Sequence, residues 1–138
     1  RGKFAEKKVQ DYLKTVNSRL VHWGFMRLPD ARTAMGRGTA MPADFEFFFV
    51  GGHGLIEVKQ LDHEFRLPAK NVTQLPAMRA RELAGGLCYI VVYHTLTKLW
   101  RCIPAQELEI KTTGSWDLSE YPTYQTLEEA LPIELLGG

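Results

Sequence analysis

Pro42-Ala43-Asp44-Phe45-Glu46-Phe47-Phe48-Phe49-Val50-Gly51-Gly52-His53-Gly54-Leu55-Ile56-Glu57-Val58-Lys59-Gln60 decides the fold. It reads as two β-strands. Phe45, Phe47 and Phe49 alternate with Asp44, Glu46 and Phe48, while Ile56 and Val58 alternate with Leu55, Glu57 and Lys59. Side chains on a strand repeat every two residues, so Glu57 and Lys59 share a face. Gly51-Gly52-His53-Gly54 has the composition of the hairpin turn between them. With Val50 opposite Leu55, every pair joins an even position to an odd one. Asp44, Glu46, Glu57 and Lys59 then occupy one face, and Phe45, Phe47, Phe49, Ile56 and Val58 the other. The aromatic face is core. The acidic face suits a divalent metal held beside a bond to be hydrolysed. This tight register sets Glu57 opposite Phe48, about 13 Å along the strand from Asp44, too far for one ion. Either the turn is wider or the strands bend strongly, and the faces are unchanged as long as the register shifts by an even number of residues.

Upstream, residues 3–22 are predicted helical, because Val9, Tyr12, Leu13, Val16 and Leu20 keep helical spacing. Glu6 stands one heptad before Leu13, on the inward edge of that helix, where a carboxylate needs a metal or a cation as partner. Compensation of the helix dipole is the other reading of Glu6. Leu20 to Leu28 is a possible strand. Residues 29–43, with Pro29, Gly36, Gly38 and Pro42, read as a loop whose Arg32 and Arg37 are placed to clamp phosphates.

Downstream, a helix is predicted from Thr73 to Leu83, with Pro76 in its first turn and Gly85-Gly86 as its stop. Leu87 to Tyr93 is a continuous apolar strand of the kind buried on both faces. It must pair parallel to the strand holding Glu57, through a right-handed crossover. Leu96 to Ile103 is a further strand, joined by a hairpin at His94 and Thr95, and Leu127 to Leu131 a short helix.

The 138 residues make one domain able to bury a core. No apolar run has the length of a membrane span. The start at Arg1 without methionine suggests that the N-terminus is trimmed or that a disordered N-terminal stretch is missing, and no signal peptide is visible. Cys88 and Cys102 sit in apolar segments and read as buried, reduced thiols, which suggests the cytoplasm. The net charge of +1 hides an asymmetry. Residues 1–40 hold nine Lys/Arg against three Asp/Glu, and residues 101–138 hold two against seven. A basic N-terminal third suits a polyanion. His22, His53, His63 and His94 lack ligand spacing and read as surface or loop residues, with His63 nearest the motif. Trp23, Trp100 and Trp116 read as core or subunit contacts.

Asp44, with Pro42 two residues before it, and Glu57-Val58-Lys59 resemble the motif of the PD-(D/E)XK nuclease superfamily. Within it the chain is similar to RecU-like and phage-type Holliday junction resolvases over roughly residues 2–104. The resemblance rests on Gly2 and Glu6, Gly38-Thr39, Glu57-Val58-Lys59-Gln60, and Phe65-Arg66-Leu67-Pro68 followed by Asn71 and Gln74. The chain departs from RecU in the four residues between Thr39 and Asp44, and in Thr73 where a histidine is usual beside Gln74.

The resemblance implies an α/β fold with a restriction-endonuclease-like core, αβββαβ in order, its mixed central sheet flanked by helices. Residues 1–138 would form one nuclease domain, with 105–138 an acidic C-terminal extension. It implies Glu6, Asp44 and Glu57 as ligands of Mg²⁺, replaceable by Mn²⁺, with the Val58 carbonyl adding a ligand and Lys59 as the catalytic lysine. Lys3, Lys7, Arg32, Arg37, Thr39, Arg66, Lys70 and Gln74 would contact DNA. The implied activity is metal-dependent cutting of four-way junctions by a homodimer, with no membrane partner and no organic cofactor. The motif leaves open a repair or restriction endonuclease of the same superfamily, or a non-catalytic nucleic-acid-binding module.

Overall fold

The computed structural model describes residues 2–29, 41–63 and 65–136. Arg32, Arg37 and Thr39 lie outside the described residues.

Helix α1 (Lys3–Arg19) is followed by strands β1 (Trp23–Arg27), β2 (Phe45–Phe49) and β3 (Gly52–Leu61), which form an antiparallel meander. A short strand β4 (Arg66–Pro68) leads to helix α2 (Leu75–Leu83). Strand β5 (Leu87–His94) returns parallel to β3 and turns back antiparallel into β6 (Leu99–Pro104). The resulting five-stranded mixed sheet has the order β1-β2-β3-β5-β6, and helices cover both faces. The expected α/β core is therefore present. Beyond it, β4 pairs with β7 (Ser115–Asp117) in a separate ribbon, and α3 (Leu127–Ala130) packs near the C-terminus.

The β2–β3 turn lies two residues earlier than the sequence predicts. Phe49 pairs with Gly52 and Phe45 with Ile56, so the turn is Val50-Gly51, with Gly51 at φ 85°. Gly52 and Gly54 lie inside β3 and not in the turn. A side chain at either would collide with a phenylalanine ring of β2, Phe49 over Gly52 and Phe47 over Gly54. At Gly54 it would also meet the Leu87 carbonyl of β5 at 1.9 Å. These glycines let aromatic rings lie flat across the pair, a known device for glycine in strands. The shift is even, so the faces survive, and extrapolating the register sets Asp44 opposite Glu57. The Asp44 N–H donates to the Ile56 carbonyl at 3.1 Å, which extends the ladder to the motif.

Both faces of the sheet are core, which corrects the expectation of one core face. Val9, Leu13 and Val16 of α1 pack on Phe45, Phe47, Ile56, Val58, Val91 and Trp100. On the other face Leu75 and Met78 of α2 pack on Leu55, Leu61, Ile90 and Val92. Leu55 and Leu61 therefore flank the acidic face, and Glu57 lies in an apolar setting.

Several boundaries also move. Helix α1 ends at Arg19, because Leu20 is already extended. The β5–β6 connection spans residues 95–98, so β6 starts at Leu99 and not Leu96. His94 is not a surface residue. It is buried in β5, with Nδ1 3.0 Å from the His63 carbonyl and Nε2 2.9 Å from Arg101. Residues after 104 supply Leu108, Trp116 and Leu118 to one core and Leu127, Leu131 and Ile133 to the other. The Tyr12 hydroxyl ties this segment to α1 by donating to the Leu131 carbonyl at 2.6 Å and accepting from the Ile133 N–H at 3.1 Å.

Candidate active site

Glu57 is built into the middle of β3, where it pairs with Ile90 of β5 and follows Ile56, the partner of Phe45 in β2. It is 2% exposed. Burial, then the charge of Asp44, push its carboxyl up to about 7, against the pull of Lys59. Lys59, two residues on and so on the same face, places Nζ 3.0 Å from Glu57 Oε2. The other oxygen, Oε1, is buried with no hydrogen-bond partner among the described residues. A buried carboxylate oxygen left bare is costly unless something positive meets it.

Asp44 sits at the entry to β2. Its Oδ2 accepts the Val58 N–H at 2.8 Å, which crosses from β3 and fixes the side chain. Its carboxyl is also raised, chiefly by burial, with Glu6 adding repulsion and Lys59 and Arg27 opposing.

Glu6 reaches the site from α1 and has found a cation. Arg27, the last residue of β1, places one guanidinium nitrogen 2.8 Å from Glu6 Oε1 and another 3.0 Å from Gln10 Oε1. The next residue, Leu28, donates its N–H to the Asp44 carbonyl at 2.8 Å, which holds β1 beside the motif. From the other side, Gln60 accepts the Ala5 N–H at 3.1 Å and locks β3 to the first turn of α1. Sequence patterning does not single out Arg27 as a site residue, and Gln60 enters the sequence reading only within the stretch that carries the resemblance. Arg27 comes into play only through the β1–β2 register, which no local motif announces.

These groups border an open cleft of about 760 Å³ lined by Glu6, Val58, Lys59, Gln60, His63 and Asn71, among others. Asp44 and Glu57 stand just behind its wall, bonded to Val58 and Lys59 respectively. Three carboxylates (Glu6, Asp44, Glu57) influence one another here, against Lys59 and Arg27. That excess of negative charge, the bare Glu57 oxygen and the hard oxygen donors fit a divalent cation. Among the described residues no three acidic, imidazole or thiol side chains already converge on one point. The structure pairs Glu6 with Arg27, and the fitting donors are Asp44 and Glu57.

The other sequence-predicted residues are scattered. Lys3 and Lys7 are exposed on α1, and Lys7 meets Asp11 at 3.3 Å. Arg66 is exposed over the Phe65 ring, and Lys70 is exposed beside the cleft residue Asn71. Gln74 precedes α2, and its Oε1 is buried without a hydrogen-bond partner among the described residues.

The Glu6–Arg27 pair is partly exposed, so it contributes at most about 1 kcal/mol to stability. Glu6→Gln is expected to shift the melting temperature by only a few degrees. If Glu6 acts in the reaction, the same variant loses most of its activity, and near-normal turnover would reduce Glu6 to a partner of Arg27.

No family model matches the chain, and no curated protein matches it. Solved structures do. One is Hjc, a Holliday junction resolvase from the archaeal hyperthermophile Archaeoglobus fulgidus, at TM-score 0.59 and 22% identity, covering 96% of this chain and 99% of that one. At that identity the likeness establishes the fold: a five-stranded mixed sheet between helices, as in that resolvase.

Proposed function

We propose that the protein is a metal-dependent endonuclease that cuts branched DNA, most specifically four-way junctions. The observation that carries this is the bare, buried Glu57 oxygen beside Asp44, with Lys59 fixed on the same strand face. The likeness in fold to Hjc, a Holliday junction resolvase, supports the choice of substrate.

Asp44 and Glu57 would hold Mg²⁺ or Mn²⁺. A bound divalent ion lowers the pKa of a coordinated water and neutralises charge developing on a phosphodiester. The chain's own residues do the rest. The Val58 N–H keeps Asp44 oriented, so little reorganisation is needed on loading. Lys59 is about one quarter exposed and tethered to Glu57, so its ammonium faces the cleft, able to orient a water or meet the phosphate. Arg27 and Gln60 fix the start of α1 against the sheet and so set the cleft's width.

A four-way junction has two strands to cut, and we propose that two copies of the chain act on it. The tryptophans that the sequence offers for such an interface are unavailable, since Trp23, Trp100 and Trp116 are buried within the chain. Met26 and Phe48 remain half exposed on the β1–β2 side.

The reading is tested with labelled four-way junction, duplex and single-stranded DNA of the same sequence, in Mg²⁺ or in EDTA. Junction cutting in Mg²⁺ alone is expected, well ahead of duplex. Equal cutting of all three would move the assignment to a repair or restriction nuclease, and no cutting would leave a binding module. Sedimentation at micromolar concentration is expected to give twice the chain mass, and a monomer that makes paired cuts would overturn the two-copy arrangement.

A further inference from the structure

We infer that the groove beside the first turn of α1 is a subsite for one unpaired nucleotide of the DNA, a role that deepens the nuclease reading and rests on it for its biological use. Phe4 is half exposed on the first turn of α1. Its ring centroid is 5.1 Å from that of Tyr93, and the Tyr93 ring is 4.7 Å from Trp100. The three rings form a graded wall, with Trp100 buried at the bottom and Phe4 open at the top. The Lys8 ammonium stands 5.6 Å from the Phe4 centroid. Lys98 reaches the same groove from the β5–β6 turn, where its φ of 61° is one that side chains other than glycine rarely adopt. Glu128 also lines the groove, whose volume is about 310 Å³.

This chemistry selects its occupant. A groove this small holds a group of nucleotide size and not a helix or a duplex. Aromatic faces stack on any base, but only an unpaired base has a face to offer. Two ammonium groups beside the rings meet phosphates. Glu128 repels phosphate and accepts a hydrogen bond from an exocyclic amino group, so the base lies toward it and the backbone toward Lys8 and Lys98.

The groove neighbours the candidate active site through Gln60, which lines the cleft. Tyr93 pairs with Gln60 in the β3–β5 register, and Gln60 accepts the Ala5 N–H next to Phe4. Lys59 is the residue before Gln60. A nucleotide unstacked near the scissile bond therefore has a seat beside Gln60, which borders the cleft, on the sheet face opposite the one that Lys59 shares with Glu57. Branched and distorted DNA supplies such nucleotides more readily than intact duplex does.

The test is binding of a fluorescent ten-residue oligodeoxycytidylate, whose bases carry that amino group, in EDTA, so that neither metal nor cleavage enters. Phe4→Ala is expected to weaken binding about 5- to 100-fold. Phe4→Trp restores it, which a loss of fold would not allow, and the wild type's Tyr and Trp fluorescence is quenched on saturation. Lys8→Gln with Lys98→Gln lowers the log–log salt slope by about 0.7 for each phosphate no longer neutralised. Unchanged affinity in Phe4→Ala, or Phe4→Trp as weak as Phe4→Ala, overturns the subsite. The two readings fail separately. Junction cutting with Phe4-independent oligonucleotide binding removes the subsite and keeps the nuclease. Phe4-dependent binding without cutting of any DNA upholds the groove as a nucleotide site and removes the nuclease.

Discussion

Glu57→Gln is expected to melt above the wild type at pH 8 and close to it at pH 5, in metal-free buffer. In the folded chain burial and the Asp44 charge raise the Glu57 carboxyl from 4.5 to about 7. Unfolded, it ionises at its ordinary value. Between those two values the folded state holds a proton that the unfolded state has lost, so stability falls as pH rises. The stabilising effect of that proton is complete below about pH 4.5 and gone above about pH 7. Its size is on the order of 3 kcal/mol, one pKa unit being about 1.4 kcal/mol. Glutamine keeps the shape and does not titrate. Lys59 loses its partner in the variant but is exposed enough to be hydrated, which limits the offset. Melting curves from pH 4.5 to 8.5 check this. Parallel pH dependences for the two proteins would show that Glu57 is not held at a cost.

Asp44→Asn and Glu57→Gln are each expected to lower cleavage by at least three orders of magnitude while leaving junction affinity within a few-fold. Each substitution removes one of the two well-placed anionic donors found among the described residues. Binding comes chiefly from phosphate contacts elsewhere and is spared. Together with the first result, this would make Glu57→Gln a variant that gains stability and loses function, the usual signature of a strained active site. Gel assays of cutting and binding on one junction preparation separate the two effects. Activity within tenfold of wild type in either variant would remove that carboxylate from the reaction.

The fold was legible where side-chain periodicity is strict. Parity alone placed Asp44, Glu57 and Lys59 on one face, and parity is what an even register shift preserves. The turn was misplaced because glycine has two uses. Gly51 supplies a positive φ, whereas Gly52 and Gly54 make room for Phe49 and Phe47 across the strand pair. Composition does not separate these uses, and a tertiary contact does. The same limit hid Arg27, whose partner Glu6 is 21 residues away. It also hid His94, whose burial follows from the parallel pairing of β5 and from Arg101 on β6. Ribbon β4–β7 joins three residues to three others some fifty positions on, too short a stretch for periodicity to register.

The most direct test of the central claim is a titration of the protein with Mn²⁺ at pH 7.5, followed by the electron paramagnetic resonance of the free ion. Wild type is expected to take up Mn²⁺ saturably, and Asp44→Asn and Glu57→Gln are each expected to lose most of that uptake. Equal uptake by all three proteins would contradict the assignment of Asp44 and Glu57 as the cation's ligands, and with it the proposed chemistry.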